Sequence, residues 1–236
     1  MTANADGTQT LAFAVAGGTE TTTVDHTVLA VPLGVLKTLN LTRAGLDQRK
    51  REQIAAMRMG ANAKLQLQFT RRLWNGEGAW PGISNGESYA DTGYQNTWDV
   101  TRAQGGDEGI LVDYTGGTIA AAFSAGTPFA DASDPAVTAY ANTFLAQLEP
   151  VFPGITKLWN GRATLSAWPK NPYSLGAYSY WPTDYCHRYA GYEGVRQGNT
   201  HFAGEHCSID LQGYMEGGAV EGRRAAQEVL ADLGVK

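Results

Sequence analysis

Apolar residues recur along this chain with two periods, and the points where the period changes mark its elements. Residues 9–15, QTLAFAV, and 21–32, TTTVDHTVLAVP, are apolar and β-branched runs on either side of AGGTE, which predicts a β-hairpin with a Gly-Gly turn. The near-continuous apolar stretch at 28–31 predicts a strand buried on both faces, and Pro32 ends it. LGVLKTLN reads as a short helical turn, and TRAGLDQRKREQIAAM as a polar helix whose inner stripe is Leu46, Ile54 and Met57. In NAKLQLQFTRRLW, residues 62–74, Leu65, Leu67 and Phe69 alternate with Gln66 and Gln68, the period of a half-buried strand.

Residues 75–107 are rich in Gly, Asn, Asp, Trp and Tyr and predict loops with short strands. GILVDYTGGTIAAAF predicts another hairpin, turned at Gly116–Gly117. DPAVTAYANTFLAQLEPVFPG is an amphipathic helix with Asp134 at the N-cap, Pro135 at N1 and a stripe of Val137, Tyr140, Phe144, Leu145 and Leu148, stopping before Pro153-Gly154. KLWNGRATLSAW gives a further strand, and 169–200 a long aromatic and proline-rich connection. THFAG is the last strand, leading through a glycine-bearing loop to an alanine-rich helix that begins near Tyr214. The fold class is α/β in the α+β sense. The ends, 1–36 and 195–236, carry parts of a nucleotide-binding layer, and 37–194 forms an inserted domain of antiparallel sheet with helices.

Composition narrows the function classes. The 236 residues carry 43% hydrophobic side chains and a formal net charge of −5, a balance that suits a soluble globular protein and gives no basic footprint for nucleic acid. No apolar run reaches the ~18 residues of a membrane span, and MTANADGTQT lacks the charged and apolar regions of a signal peptide. Cys186 and Cys207 are not spaced as a CxxC motif and read as two free, buried thiols, with a disulfide between them left open. His26, His187, His201 and His206 form no HxH or HxxxH pair, so no metal site is expected. A Walker A loop is likewise missing from the sequence.

The strand-loop-helix at 201–230, HFAGEHCSIDLQGYMEGGAVEGRRAAQEVL, presents unpaired backbone N–H groups and a positive dipole end, an arrangement that stabilises negative charge. Together with VDHTVLAVPLGVLK (24–37), MGANAKLQLQF (59–69), LWNG (73–76) and AWPKNPYSLGAYSYWP (167–182), it resembles, in order and spacing, the C-terminal half of the flavin-dependent monoamine oxidase and polyamine oxidase family.

The resemblance implies an FAD enzyme that oxidises an amine to an imine, with hydride passing to the flavin and O2 reduced to H2O2. Lys64 falls where the family holds a water next to flavin N5. Tyr178 and Tyr214 fall at the two aromatic walls of the substrate slot, and Trp168 lies in the flavin-proximal segment. Ala177 stands where covalently flavinylated members carry a cysteine, so FAD is expected to be bound without a covalent link. Gly204 and Glu205 match the segment facing the ribityl and pyrophosphate region, although a carboxylate near a helix start also serves as a plain cap. Gly213 belongs to the same turn, and the backbone N–H of Met215 falls where it reaches the flavin pyrimidine carbonyl. The helix dipole would then stabilise the anionic reduced cofactor.

The family's N-terminal GxGxxG βαβ unit has no counterpart in this sequence. The chain is therefore expected to be a partial flavoenzyme, completed by an N-terminal half or by an oligomer partner, with a small amine and O2 as reactants. Its compartment stays open between the bacterial cytoplasm and export by an upstream signal. The alternative reading is a non-catalytic substrate-domain module that does not hold FAD by itself. Arg71, Arg72 and Arg102 are available to pair a substrate carboxylate, but sequence assigns none of them to a pocket.

Overall fold

In the computed structural model, which describes residues 1–76 and 84–235, the chain divides into two compact units, 1–60 with 172–236 and 61–171. The part of the 75–107 loop expectation that falls on 77–83 lies outside the described residues. The expected domain limits at 36/37 and 194/195 both fall inside the first unit. The reason is a shared core: Leu46, Ile54, Met57, Tyr185 and Tyr189 pack in one cluster with Leu29, Leu33 and Phe202.

The first unit opens with β1 (Thr2–Ala3), β2 (Gln9–Val15) and β3 (Gly18–Val24), a three-stranded antiparallel sheet in the order β1-β2-β3. The hairpin turns at Ala16-Gly17, where Gly17 takes a positive φ of 94° that costs a glycine little. The single strand expected over 21–32 is divided, because the chain leaves β3 after Val24 and starts β4 (Thr27–Leu29) in another sheet. There β4 pairs in parallel with β12 (Thr200–Phe202). Nor is this stretch buried on both faces, since Val28 is 45% exposed while Thr27 and Leu29 turn inward.

Helices α1 (Leu33–Leu36) and α2 (Gln48–Ala56) come next, α2 capped by the Asp47 carboxylate, which accepts from Lys50 N–H at 2.7 Å. The short strand β5 (Arg58–Met59) pairs antiparallel with β11 (Ser179–Tyr180), and α5 (Cys186–Tyr189) precedes β12. The long α6 (Met215–Asp232) closes the unit. Both cysteines are free, as expected, but Cys186 is exposed and only Cys207 is buried.

The second unit is a five-stranded antiparallel sheet in the order β7-β8-β6-β10-β9, from β6 (Asn62–Phe69), β7 (Asn96–Asp99), β8 (Gly109–Gly116), β9 (Phe129–Asp131) and β10 (Trp159–Ala167). Helix α4 (Pro135–Leu148) has the expected cap, with Asp134 accepting from Ala136 N–H at 2.8 Å, and its stripe buries Val137, Phe144, Leu145 and Leu148. Those side chains meet Ala63, Leu65, Leu67 and Phe69, the inner face of β6. The hairpin expected at Gly116–Gly117 is absent: β8 runs through Gly116 and the chain enters α3 (Gly117–Ala122). Gly117 does take a positive φ of 63°, but TIAAA then favours helix, and Ala120 packs in the core. Among the described residues no helix is long and apolar enough to cross a membrane.

Candidate functional site

The residues singled out by sequence divide between the units. Ala177, Tyr178, Gly204, Glu205, Gly213, Tyr214 and Met215 belong to the first, and Lys64 and Trp168 to the second.

In the first unit the organising group is Glu205. Its Oε1 accepts from Ser179 N–H at 2.9 Å, and its Oε2 from Ser179 Oγ–H at 2.8 Å and from Gly213 N–H at 2.7 Å. One carboxylate thus ties the β11 segment to the loop before α6, using three of its roughly four acceptor positions on the protein itself. The cap reading had α6 in view, but this carboxylate bonds one residue before the N-cap position and, equally, a strand 26 residues upstream. Ser179 is the functional partner that sequence reasoning missed, since nothing local marks it.

Tyr178 sits just before β11 and is anchored through backbone bonds on both sides: Gly60 N–H donates to Tyr178 C=O at 2.7 Å, and Ala177 N–H donates to Gly60 C=O at 2.8 Å. Gly213, at φ +82°, lies against the Tyr178 ring, where an added Cβ would stand 3.6 Å from a ring carbon. The loop that Glu205 holds therefore rests its backbone on one of the expected aromatic walls. Tyr214 takes the N-cap position of α6 with no side-chain hydrogen bond to the helix, and the residue is 69% exposed. The first N–H groups of this 18-residue helix thus lack a side-chain cap, and its dipole end is open. Gly217 allows the close approach behind it, because a Cβ there would lie 2.2 Å from Leu211 C=O.

Three buried nitrogens in the same segments have no hydrogen-bond partner among the described residues: Trp181 Nε1, His206 Nε2 and Gln212 Nε2. Burial also pushes the His206 imidazole below its usual range, favouring the neutral ring. Indole and amide N–H groups left unpaired in a folded interior call for acceptors. That need fits the oxygen- and nitrogen-rich edge of a flavin or its ribityl chain, and so the residues present suit the isoalloxazine end of the cofactor.

Below β12 the polar groups satisfy one another. Arg224 ion-pairs with Glu221 (2.7 Å) and Glu228 (2.6 Å) and donates to Phe202 C=O. Glu228 also holds buried His201 at 2.8 Å, and His201 meets His26 at 3.2 Å. His26, His201 and Asp232 bring their ligand atoms within 4.8 Å of one another, a cluster that sequence spacing could not reveal because the residues come from three distant elements. Asp232 is already paired with Arg196 at 2.7 Å.

In the second unit Lys64 stands opposite Tyr114 on β8 and Ser166 on β10. It points to the face of β6 away from Leu65 and α4, half-buried, its ammonium 5.9 Å from the ring centres of both Trp98 and Tyr114. Among the described residues it forms no ion pair. A cation framed by two aromatic faces and no carboxylate keeps N–H donors available for a water or ligand. Trp168 is partly exposed and packs edge-on against Phe129 at 5.0 Å.

Comparison with known proteins gives a consistent picture. A mouse L-amino-acid oxidase is 27% identical over 195 residues, covering 80% of this chain and 28% of its own length. Among solved structures, cyclohexylamine oxidase from Brevibacterium oxydans IH-35A superposes with a TM-score of 0.73 at 21% identity, over 91% of this chain and 44% of that one. A putrescine oxidase bound to putrescine gives 0.69 at 19% identity, again over 44% of its chain. The chain therefore spans less than half the length of each of these proteins. The flavin containing amine oxidoreductase family matches residues 4–230, nearly the whole sequence, and the chain belongs to that family.

Proposed function

We propose that these residues form the C-terminal part of an FAD-dependent amine oxidase, with 1–60 and 172–236 contributing to the cofactor layer and 61–171 serving as the substrate domain. The observation that carries the reading is the Glu205 clamp, which fixes Tyr178 and the Tyr214 loop to one another's segments at the open start of α6. Two tyrosines mounted in this way suit a slot that takes a neutral amine between aromatic faces. When bound, FAD would supply the two-electron acceptor that converts amine to imine, and O2 would carry the electrons away as H2O2.

The chain's own residues then have defined tasks. Tyr178 and Tyr214 orient the amine and exclude water. The Met215 N–H, at the positive end of α6, would hold a carbonyl oxygen on which negative charge develops. Trp181, His206 and Gln212 would donate to further acceptors of the cofactor, with Gly204 letting the backbone turn at φ +119° before them. Glu205 acts as a positioning residue. Ala177 offers no nucleophile, so FAD would be held without a covalent bond. Lys64, with no ion pair among the described residues, would hold a water on its ammonium, and Trp168 would keep the flavin-proximal role that the resemblance implies. The ADP end of the cofactor needs a glycine-rich turn that this sequence does not contain, and an N-terminal part or partner chain would supply it.

The relatives span an amino acid, a cyclic monoamine and a diamine as named substrates. The test is therefore reconstitution with FAD, on this chain and on a version extended by an N-terminal nucleotide-binding part, with an H2O2 assay on a panel of those three amine classes. Bound FAD and peroxide formation with one class are expected. Protein that stays colourless in both forms supports the alternative, a non-catalytic module.

A further inference from the structure

Successive residues of a strand face opposite sides of its sheet, and β8 uses both. Tyr114 lies opposite Lys64, whereas Asp113 and Thr115 lie opposite Leu65 and Ala63 on the helix-covered face. On that side a cavity of about 390 Å³ opens between the sheet and helices α3 and α4, walled by Leu65, Ile119, Phe123 and Phe144, with Asp113 and Thr115 at the sheet.

The two polar groups are out of place there by ordinary rules. Asp113 is only 5% exposed and Thr115 1%, and neither Asp113 Oδ1 nor Thr115 Oγ has a hydrogen-bond partner among the described residues. Among the described residues no lysine, arginine or histidine lines the cavity. Of its other polar groups, the Tyr140 hydroxyl bonds Ser124 N–H and C=O at 3.0 Å each and Thr143 donates to Ala139 C=O, while the Thr118 and Gln147 side chains also stand at the lining. The neighbouring Tyr94 hydroxyl is occupied by Ser88 at 2.8 Å. A buried carboxyl with an unpaired oxygen and no counter-ion at hand is costly to ionise unless a ligand brings donor and charge.

We infer that this cavity is a second ligand site, for a small molecule with a primary ammonium on an apolar body, separate from the Lys64 face. An ammonium supplies the positive charge and several donors, enough for Asp113 and Thr115 together, and an aliphatic chain fits the Leu, Ile and Phe walls. The site does not depend on the FAD reading, since none of its residues has a part in that chemistry. Burial alone pushes the Asp113 carboxyl up to about 7. An ammonium seated on it would return it toward the usual carboxylate range.

Carboxyl-13C aspartate NMR on the whole chain, with n-butylammonium as probe, tests this. The upshifted Asp113 midpoint should fall by about two pH units or more at saturation, tracking a charge partner within contact distance. Asp113→Asn should weaken n-butylammonium binding about tenfold or more, and Thr115→Val about threefold to tenfold. An Asp113 midpoint that does not move with saturating n-butylammonium overturns the inference, and this readout needs no variant to fold. So does equal displacement by n-butanol, which would mark a site for neutral hydroxyls or water, and so does Asp113→Asn binding the probe as tightly as the parent chain.

Discussion

Removing the Glu205 carboxylate should loosen both tyrosine-bearing segments at once, and the size of the effect can be worked from its three bonds. Glu205→Ala strips the acceptor from Ser179 N–H, Ser179 Oγ–H and Gly213 N–H. Ser179 is buried, so its amide would lose its partner without gaining bulk water, whereas Gly213 is only half-buried and recovers part of the loss. A stranded buried donor costs about 1–3 kcal/mol, and bonds to a charged acceptor sit toward the upper part of their range. The buried Ser179 amide at full cost, with the rotatable Ser179 hydroxyl and the half-buried Gly213 amide at partial cost, gives a destabilisation of about 2–4 kcal/mol. Glu205→Gln keeps one oxygen but turns an NH2 toward a donor, for about 1–2 kcal/mol. Urea unfolding measures both, and amide exchange at Ser179 and Gly213 should quicken together in Glu205→Ala. A Glu205→Ala protein within about 0.5 kcal/mol of the parent, with exchange at both amides unchanged, would refute the clamp.

Other consequences can be checked separately. Asp113 has a folded-state value near 7 against the usual 3.8, so the folded chain holds its proton more tightly than the unfolded one. Stability from this group is greatest below about pH 4, falls as pH rises through about 4 to 7 and is level beyond. Asp113→Asn should flatten that window and be more stable than the parent by about 2–4 kcal/mol at pH 8, a difference that closes in acid, as urea unfolding at several pH values would report. Gly217→Ala puts a Cβ on Leu211 C=O and should destabilise the α6 start by about 2 kcal/mol or more, seen as a lowered urea midpoint. In FAD-loaded enzyme Lys64→Met should slow turnover about tenfold or more while the unfolding midpoint holds, and unchanged turnover would remove Lys64 from the reaction.

How much of this was legible in the sequence varies with how local the cause is. The Leu65–Leu67–Phe69 alternation, the Asp134 cap and the start of α6 at Met215 come from short-range periodicity and capping, and the structure has them where the pattern puts them. The hairpin expected at Gly116–Gly117 failed because two glycines mark a break in a strand without fixing the type of the next element, and the alanines beyond them carry the chain into α3. The division between β3 and β4 depends on β4 finding β12, 173 residues away at Thr27 and Thr200, which no local signal encodes. The same holds for the site. Tyr178, Tyr214 and Glu205 were visible through resemblance, but the role of Glu205 as a tie needed Ser179 beside it. The cluster of His26 with His201, 175 residues apart, and the orphaned Asp113 became visible only when the sheet registers were known.

The central claim, that this chain carries the amine-facing side of a flavin site, is tested most directly by anaerobic mixing of FAD-loaded protein with each amine class while flavin absorbance is monitored. The account predicts bleaching by one class, recovery of the absorbance with H2O2 formation when O2 is admitted, and bleaching slowed about a hundredfold in Tyr178→Ala/Tyr214→Ala protein that still binds FAD. Protein that binds FAD but is bleached by none of the amines, or a double variant bleached as fast as the parent, would contradict it.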